Sequence, residues 1–179
     1  MLAYIFWHWP RTEVKSADYE RALRDFYKAL IIVKPRGFVD CFGLRLDSFP
    51  WKAQVSNGYE DWYLIEDFHS LGILNETAVS GTMTEPHQAI ASLAAGGSGG
   101  LYRLNSIRHN ERVRFSTWFP KPSGMSYRAL NSILNTLEQS DHWQRQLTLG
   151  PAPEFCVHSN ERVALPSNFR NTTIEIRRL

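Results

Sequence analysis

Cysteine is almost missing from this 179-residue chain. Cys41 and Cys156 are too few for a disulfide framework and have no partners at metal-ligand spacing, so both read as reduced, buried thiols. Long apolar runs are missing too, and none approaches the roughly 18 residues of a membrane span. The opening stretch from Met1 to Pro10 has no basic leader and is interrupted by His8. It reads as a strand rather than a secretion signal, and the chain as a cytoplasmic protein with no membrane partner. Net charge is nearly absent: 20 basic against 18 acidic side chains leave +2, no electrostatic footprint for nucleic acid. Aromatic side chains, by contrast, are plentiful. The 10 Phe, 7 Tyr and 6 Trp, within an apolar fraction of 43%, exclude disorder and imply a folded core.

Punctuation and periodicity divide the chain into elements. An aromatic run over residues 3–9 ends at Pro10 and predicts a strand. Ala22, Leu23, Phe26, Tyr27 and Leu30 then recur at helical spacing until Pro35-Arg36-Gly37. Phe38 to Leu46 and Tyr59 to Glu66 read as strands, separated by turn chemistry at Phe49-Pro50-Trp51 and Ser56-Asn57-Gly58. Phe68, Leu71, Leu74 and Ala78 predict a second helix, followed by a short one from Pro86 through Ala95. The run Gly96 to Gly100 breaks it, and Leu101 to Ile107 closes as a strand. Residues 1–107 therefore spell βαββαβ, the order of a ferredoxin-like unit.

Residues 108–179 begin the same way. A strand over Arg112 to Phe119 ends in Pro120 as the first ended in Pro10. Ala129, Leu130, Ile133, Leu134 and Leu137 then repeat the five apolar positions of the first helix. Trp143 to Leu149, Phe155 to His158 and Thr172 to Arg177 read as strands, and the loop from Ser159 to Asn171 replaces the second helix. The expectation is an α+β fold: a tandem pair of ferredoxin-like repeats, the second shortened, in one compact unit. The open faces of two such aromatic sheets must be covered, and facing each other they close an α/β barrel.

Strand alternation sorts the side chains by face. In the first strand Ile5, Trp7 and Trp9 form one set and Tyr4, Phe6 and His8 the other. In the corresponding strand of the second repeat, Phe115, Thr117 and Phe119 stand against Arg114, Ser116 and Trp118. The more apolar set of each pair is expected under the helices, which turns Tyr4, Phe6, His8, Arg114, Ser116 and Trp118 into the barrel. The same logic sends Ile174 and Ile176 to the core and Thr173, Glu175 and Arg177 inward; His158 is a further candidate whose face alternation leaves open. An apolar cavity with a few convergent polar groups is the usual form of a small-molecule site. Within it His8 can serve as general base, with Tyr4 beside it, or be an interior histidine satisfied by Glu175 or a backbone carbonyl. Arg114 can anchor an anionic ligand or pair with Glu175.

Other features carry less. The Gly96 to Gly100 run lacks a following Gly-Lys-Ser/Thr and reads as a flexible connector or lid. Asp61, Glu66, Asp67 and His69 have no metal spacing and read as a solvated strand end. Arg108, His109, Arg112, Arg170, Arg177 and Arg178 form a modest basic cluster without an RNA-stacking motif.

The two-repeat pattern resembles the dimeric α/β-barrel superfamily, which includes antibiotic-biosynthesis monooxygenase, EthD-like, stress-responsive barrel and chlorite dismutase groups. In EthD-like proteins the opening strand resembles Tyr4 to Pro10 and the helix resembles Tyr19 to Leu30, but the histidine many of them carry late in that helix is replaced here by Lys28, Ala29 and Leu30. The resemblance implies a small-molecule-binding barrel, with cofactor-free oxygenase or isomerase chemistry on an aromatic or polyketide-like compound. The alternatives are a non-catalytic protein-interaction module and a haem enzyme with His158 or His142 as axial ligand. The expected state is a monomer or a homodimer.

Overall fold

The computed structural model describes the whole chain except residues 48, 50, 52–54, 56, 107–112, 138, 139, 149 and 151. Among the described residues the order is β1 (Leu2–Pro10), α1 (Ser16–Val33), β2 (Phe38–Leu46), β3 (Gly58–Ile65), α2 (Phe68–Ala78), a single 3-10 turn, α3 (Thr84–Leu93), β4 (Ala94–Ser106), β5 (Phe115–Phe119), α4 (Tyr127–Leu134), β6 (Ser140–Thr148), β7 (Phe155–Ser159) and β8 (Thr172–Arg178). The eight strands close into one antiparallel barrel in the order β1-β3-β2-β8-β5-β7-β6-β4. Read around the ring, β4-β1-β3-β2 and β8-β5-β7-β6 have the same fourth-first-third-second sequence within each half. Expected elements at Ile107, Arg112, Leu149 and the turn residues Pro50 and Ser56 fall outside the described residues, as do Arg108 and His109 of the basic cluster. No helix is long and apolar enough to cross a membrane among the described residues.

Local chemistry accounts for the helix boundaries. Lys34 stops α1 in the left-handed region (φ 46°), its N–H donating to the Leu30 carbonyl. Asp67 caps α2, accepting from the Ser70 backbone N–H at 2.9 Å and the Ser70 hydroxyl at 2.7 Å. Asp67 is thus an exposed capping residue and, with Glu66 and His69, stands at the solvated end of β3 as expected, whereas Asp61, described below, is buried. Ser159 to Asn171 does connect β7 to β8 without a helix, and Phe169 seals that side against Phe119.

Three apolar layers result. The barrel lumen collects Ile5 and Trp7, Leu44 and Leu46, Trp62, Tyr102, Trp118, Trp143, Cys156, and Ile174 with Ile176, at least one residue from every strand. Outside the first half, α1 lays Tyr19, Leu23, Phe26, Tyr27 and Leu30 on Tyr59, Tyr63, Ile65 and Leu101. Outside the second half, α4 lays Leu130 and Leu134 on Phe119, Phe155 and Val157. Both thiols are free and buried.

This layering reverses part of the expected facing. Ile5 and Trp7 fill the lumen while Tyr4 and Phe6 pack on the helix side. Ile174 and Ile176 also point into the lumen, so Glu175 and Arg177 face outward. In β5 the expectation matches, with Trp118 in the lumen and Phe119 under α4. In β1 the lumen takes the more apolar set, whereas in β5 it takes the set that includes Ser116 and Trp118, so the facing follows how the eight strands close rather than the relative polarity of a strand's two faces.

The glycine run is also different from its reading as a connector. Gly96, Gly97, Gly99 and Gly100 lie inside β4, paired with β1. A Cβ on Gly97 would overlap the Phe6 ring, and one on Gly99 would come within 2.7 Å of the Tyr4 hydroxyl. The glycines are a shape complement to rings that lie flat across the neighbouring strand.

Candidate functional site

The outer face of β1 and β3 carries three cross-strand pairs, Tyr4 with Tyr63, Phe6 with Asp61 and His8 with Tyr59. The rings stack along this face: Phe6 and His8 have centroids 5.5 Å apart, His8 and Tyr59 5.7 Å. Above it, α1 and α3 leave a cleft of about 350 Å³ whose wall includes His8, Asp61, Tyr19, Phe26 and His87.

Polar groups converge at one end of that cleft. His8 is buried, with Nδ1 2.7 Å from the Tyr19 hydroxyl and Nε2 2.9 Å from Oδ1 of Asp61. The second contact is an ion-pair distance without the alignment of a hydrogen bond, leaving Nε2 short of a full partner. Asp61 in turn accepts from the Tyr27 hydroxyl at Oδ1 and from the Tyr63 hydroxyl at Oδ2, the latter at 2.9 Å. Burial and the neighbouring Asp61 charge hold the phenols of Tyr27 and Tyr63 well above their ordinary range, and that of Tyr19 above it too. They therefore stay protonated, those of Tyr27 and Tyr63 donating to Asp61, while the direction of the His8–Tyr19 contact follows the imidazole tautomer. A carboxylate fixed by two phenols and set against an imidazole is a base with its orientation already determined.

On the opposite face of the same strands lies a second buried carboxyl. Glu60 accepts from the indole N–H of Trp7 at 3.1 Å and of Trp62 at 3.2 Å. Desolvation pushes it up to about 7, against the lowering effect of its two indole donors. Around it Trp7, Trp51 and Trp118 meet edge to face at 5.2–5.8 Å, so the lumen is packed with indoles.

Of the residues singled out from the sequence, the structure brings Tyr4, Phe6 and His8 together, on the helix side of the sheet rather than in the barrel. Ser116, Trp118 and His158 are buried on the lumen side of β5 and β7. His158 packs 4.4 Å from Trp62, and burial pushes its imidazole down to about 3, which keeps it neutral. His142, the other proposed haem ligand, has Nε2 2.8 Å from the Ser140 hydroxyl. Neither lines the cleft. Arg114 pairs with Glu175 at 3.3 Å, both on the exposed surface, and Arg177 reaches Glu20 at 3.4 Å. Of the two partners envisaged for His8, Glu175 is therefore elsewhere, and Asp61 and Tyr19 take its place. Asp61, expected at a solvated strand end, is instead buried in the site; its signal is the alternation Tyr59-x-Asp61-x-Tyr63, which places an acid in an otherwise aromatic, buried row. No group of three or more His, Cys, Asp or Glu side chains that could hold a metal ion occurs among the described residues.

No protein-family model and no curated protein sequence matches the chain. Solved structures do. A putative monooxygenase from Lactobacillus acidophilus NCFM superposes with a TM-score of 0.61 at 10% identity, covering 99% of this chain and 93% of that one. An anthrone oxidase-like protein gives 0.52 at 8% identity, covering 98% and 91%. At these identities the likeness establishes the barrel fold over essentially the full length.

Proposed function

We propose that the helix-side cleft binds a phenolic or enolisable aromatic compound and that His8, set against Asp61, removes its acidic proton so that the resulting anion can react with O2. The observation that carries this reading is the buried Tyr19–His8–Asp61 arrangement opening into an aromatic cleft of ligand size. Once His8 takes the proton, its imidazolium lies 2.9 Å from the Asp61 carboxylate and 2.7 Å from the Tyr19 hydroxyl, two groups that stabilise the new charge. Phe6, stacked on His8 in the wall of the same cleft, supplies a flat platform for the ligand ring. The electrons come from the substrate anion itself. For an activated methylene, one CH2 group and one dioxygen molecule give one ketone carbonyl and one water. Both C–H bonds and the O–O bond break, one oxygen atom stays on the carbon, and the other leaves as water with the two hydrogens. The names of the two structural neighbours support oxygen chemistry, and that of the anthrone oxidase-like protein supports an aromatic compound with an activated methylene.

Anthrone serves as the probe, with O2 uptake and quinone absorbance as readouts. His8→Ala is expected to lower the rate by roughly 10²–10⁴-fold, the range for loss of a positioned base. Asp61→Asn lowers it by a smaller factor, and Arg114→Ala, on the outer surface, leaves it unchanged. A His8→Ala protein as fast as the wild type overturns the assignment. Proton exchange at the methylene without O2 uptake replaces the oxygenase reading by an isomerase.

A further inference from the structure

The cleft continues past the polar end. A second chamber of about 250 Å³ shares Phe6, Phe26, Tyr63 and His87 with the first and is lined on its other side by Leu74, Ala78 and Val79 at the C-terminal end of α2. Its wall has no Asp, Glu, Lys or Arg side chain: the Tyr63 hydroxyl is already given to Asp61, leaving Tyr4, Asn75 and His87 as its other polar groups. The first chamber, by contrast, holds His8, Asp61 and Tyr19. Both chambers are lined mainly by apolar surface, and the carboxylate, with the imidazole and phenol set against it, is confined to the first.

We infer that the ligand is an amphiphile whose ionisable phenolic or enolic head sits at His8 and Asp61 and whose apolar tail runs between Phe6 and Phe26 into the α2 chamber, so that Ala78 and Val79 set the tail length accepted. This rests on the proposed function for the head and adds a subsite for the tail. An apolar tail buried against such a wall strengthens binding by roughly fourfold for each methylene, the equivalent of about 0.8 kcal/mol, until the chamber is full.

The test uses 4-alkylphenols, from 4-methylphenol to 4-octylphenol, titrated into the full-length protein by calorimetry. Affinity is expected to climb roughly fourfold per methylene and then level off. Ala78→Phe moves the plateau to a shorter tail, leaving 4-methylphenol unchanged and weakening the longest members at least about tenfold. Val79→Trp, at a position 54% exposed where folding tolerates a large side chain, provides the same truncation should Ala78→Phe fail to fold. Affinity independent of tail length, or an equal loss for short and long members in both variants, overturns the inference. The two proposals fail separately. A tail-length series that persists while His8→Ala leaves O2 uptake untouched removes the chemistry and keeps the chamber; O2 uptake governed by His8 with a flat series does the reverse.

Discussion

Replacing Glu60 by Gln should reshape the pH dependence of stability. Glu60 is fully buried between the indoles of Trp7 and Trp62, and its carboxyl is raised from 4.5 to about 7. Below pH 4.5 the group is protonated in folded and unfolded chains alike, so it contributes no difference. Between 4.5 and 7 the unfolded chain releases the proton while the folded one retains it, and stability falls as pH rises. Above 7 both are ionised and the loss is complete, about 3 kcal/mol at about 1.4 kcal/mol per pH unit. The Cys156 thiol and Tyr102 phenol that face Glu60 have raised values and stay protonated throughout that window, and His158 beside Trp62 stays neutral. A Gln side chain does not titrate, but its NH2 cannot accept, so one indole N–H loses its partner at a cost of about 1–3 kcal/mol. Glu60→Gln is therefore less stable than the wild type at pH 5 and matches or exceeds it at pH 8. Urea unfolding followed by far-ultraviolet circular dichroism at pH 5, 6, 7 and 8 measures this directly. Groups elsewhere cancel in the difference between the two proteins. The wild-type advantage should shrink by about 2–3 kcal/mol across the series; a difference constant to within about 0.5 kcal/mol would refute the buried-carboxyl argument.

Glycine substitutions should separate packing from propensity. Gly97→Ala forces Phe6 off its seat and is expected to cost about 1–3 kcal/mol, lowering the midpoint of thermal unfolding and weakening ligand binding together. Gly72→Ala, in α2 with no heavy atom near the added carbon, should raise stability by about 0.5–1 kcal/mol. The thiols should be inert in the folded protein: burial pushes Cys41 up to about 12 and holds Cys156 well above its ordinary range, so a thiolate-selective reagent at pH 8 labels neither until denaturant is added. Rapid labelling of the native chain would contradict the placement of both.

Element order was legible because its signals are local. The limits of β2 at Phe38 and Leu46, and of α2 at Phe68 and Ala78, coincide with the expected ones, since Gly37, Asp67 and the apolar spacing act within a few residues. The site was half legible. Alternation groups Tyr4, Phe6 and His8 together whichever side they face. It cannot say which side faces the lumen, because that depends on how eight strands close and on Glu60 offering acceptors to the Trp7 and Trp62 indoles. Asp61 was hidden for a similar reason: what makes a buried acid tolerable there is supplied by Tyr27 from α1 and His8 from β1, remote in sequence. The glycines of β4 misled because glycine signals freedom to a local reading, whereas here it signals a neighbour's ring.

Adjacent positions on β1 and β3 belong to different compartments, and this bears on how the protein can evolve. Trp7, Glu60 and Trp62 hold the barrel shut, while Tyr4, Phe6, Asp61 and Tyr63 meet whatever enters the cleft. Substitutions at Tyr4 or Phe6 can redirect ligand preference while the lumen goes on specifying the barrel. A one-residue deletion in either strand would exchange the two sets and lose both roles at once. Descendants of such a chain should therefore diversify by replacing alternate residues in these strands, and accept changes of length only in the connections between them.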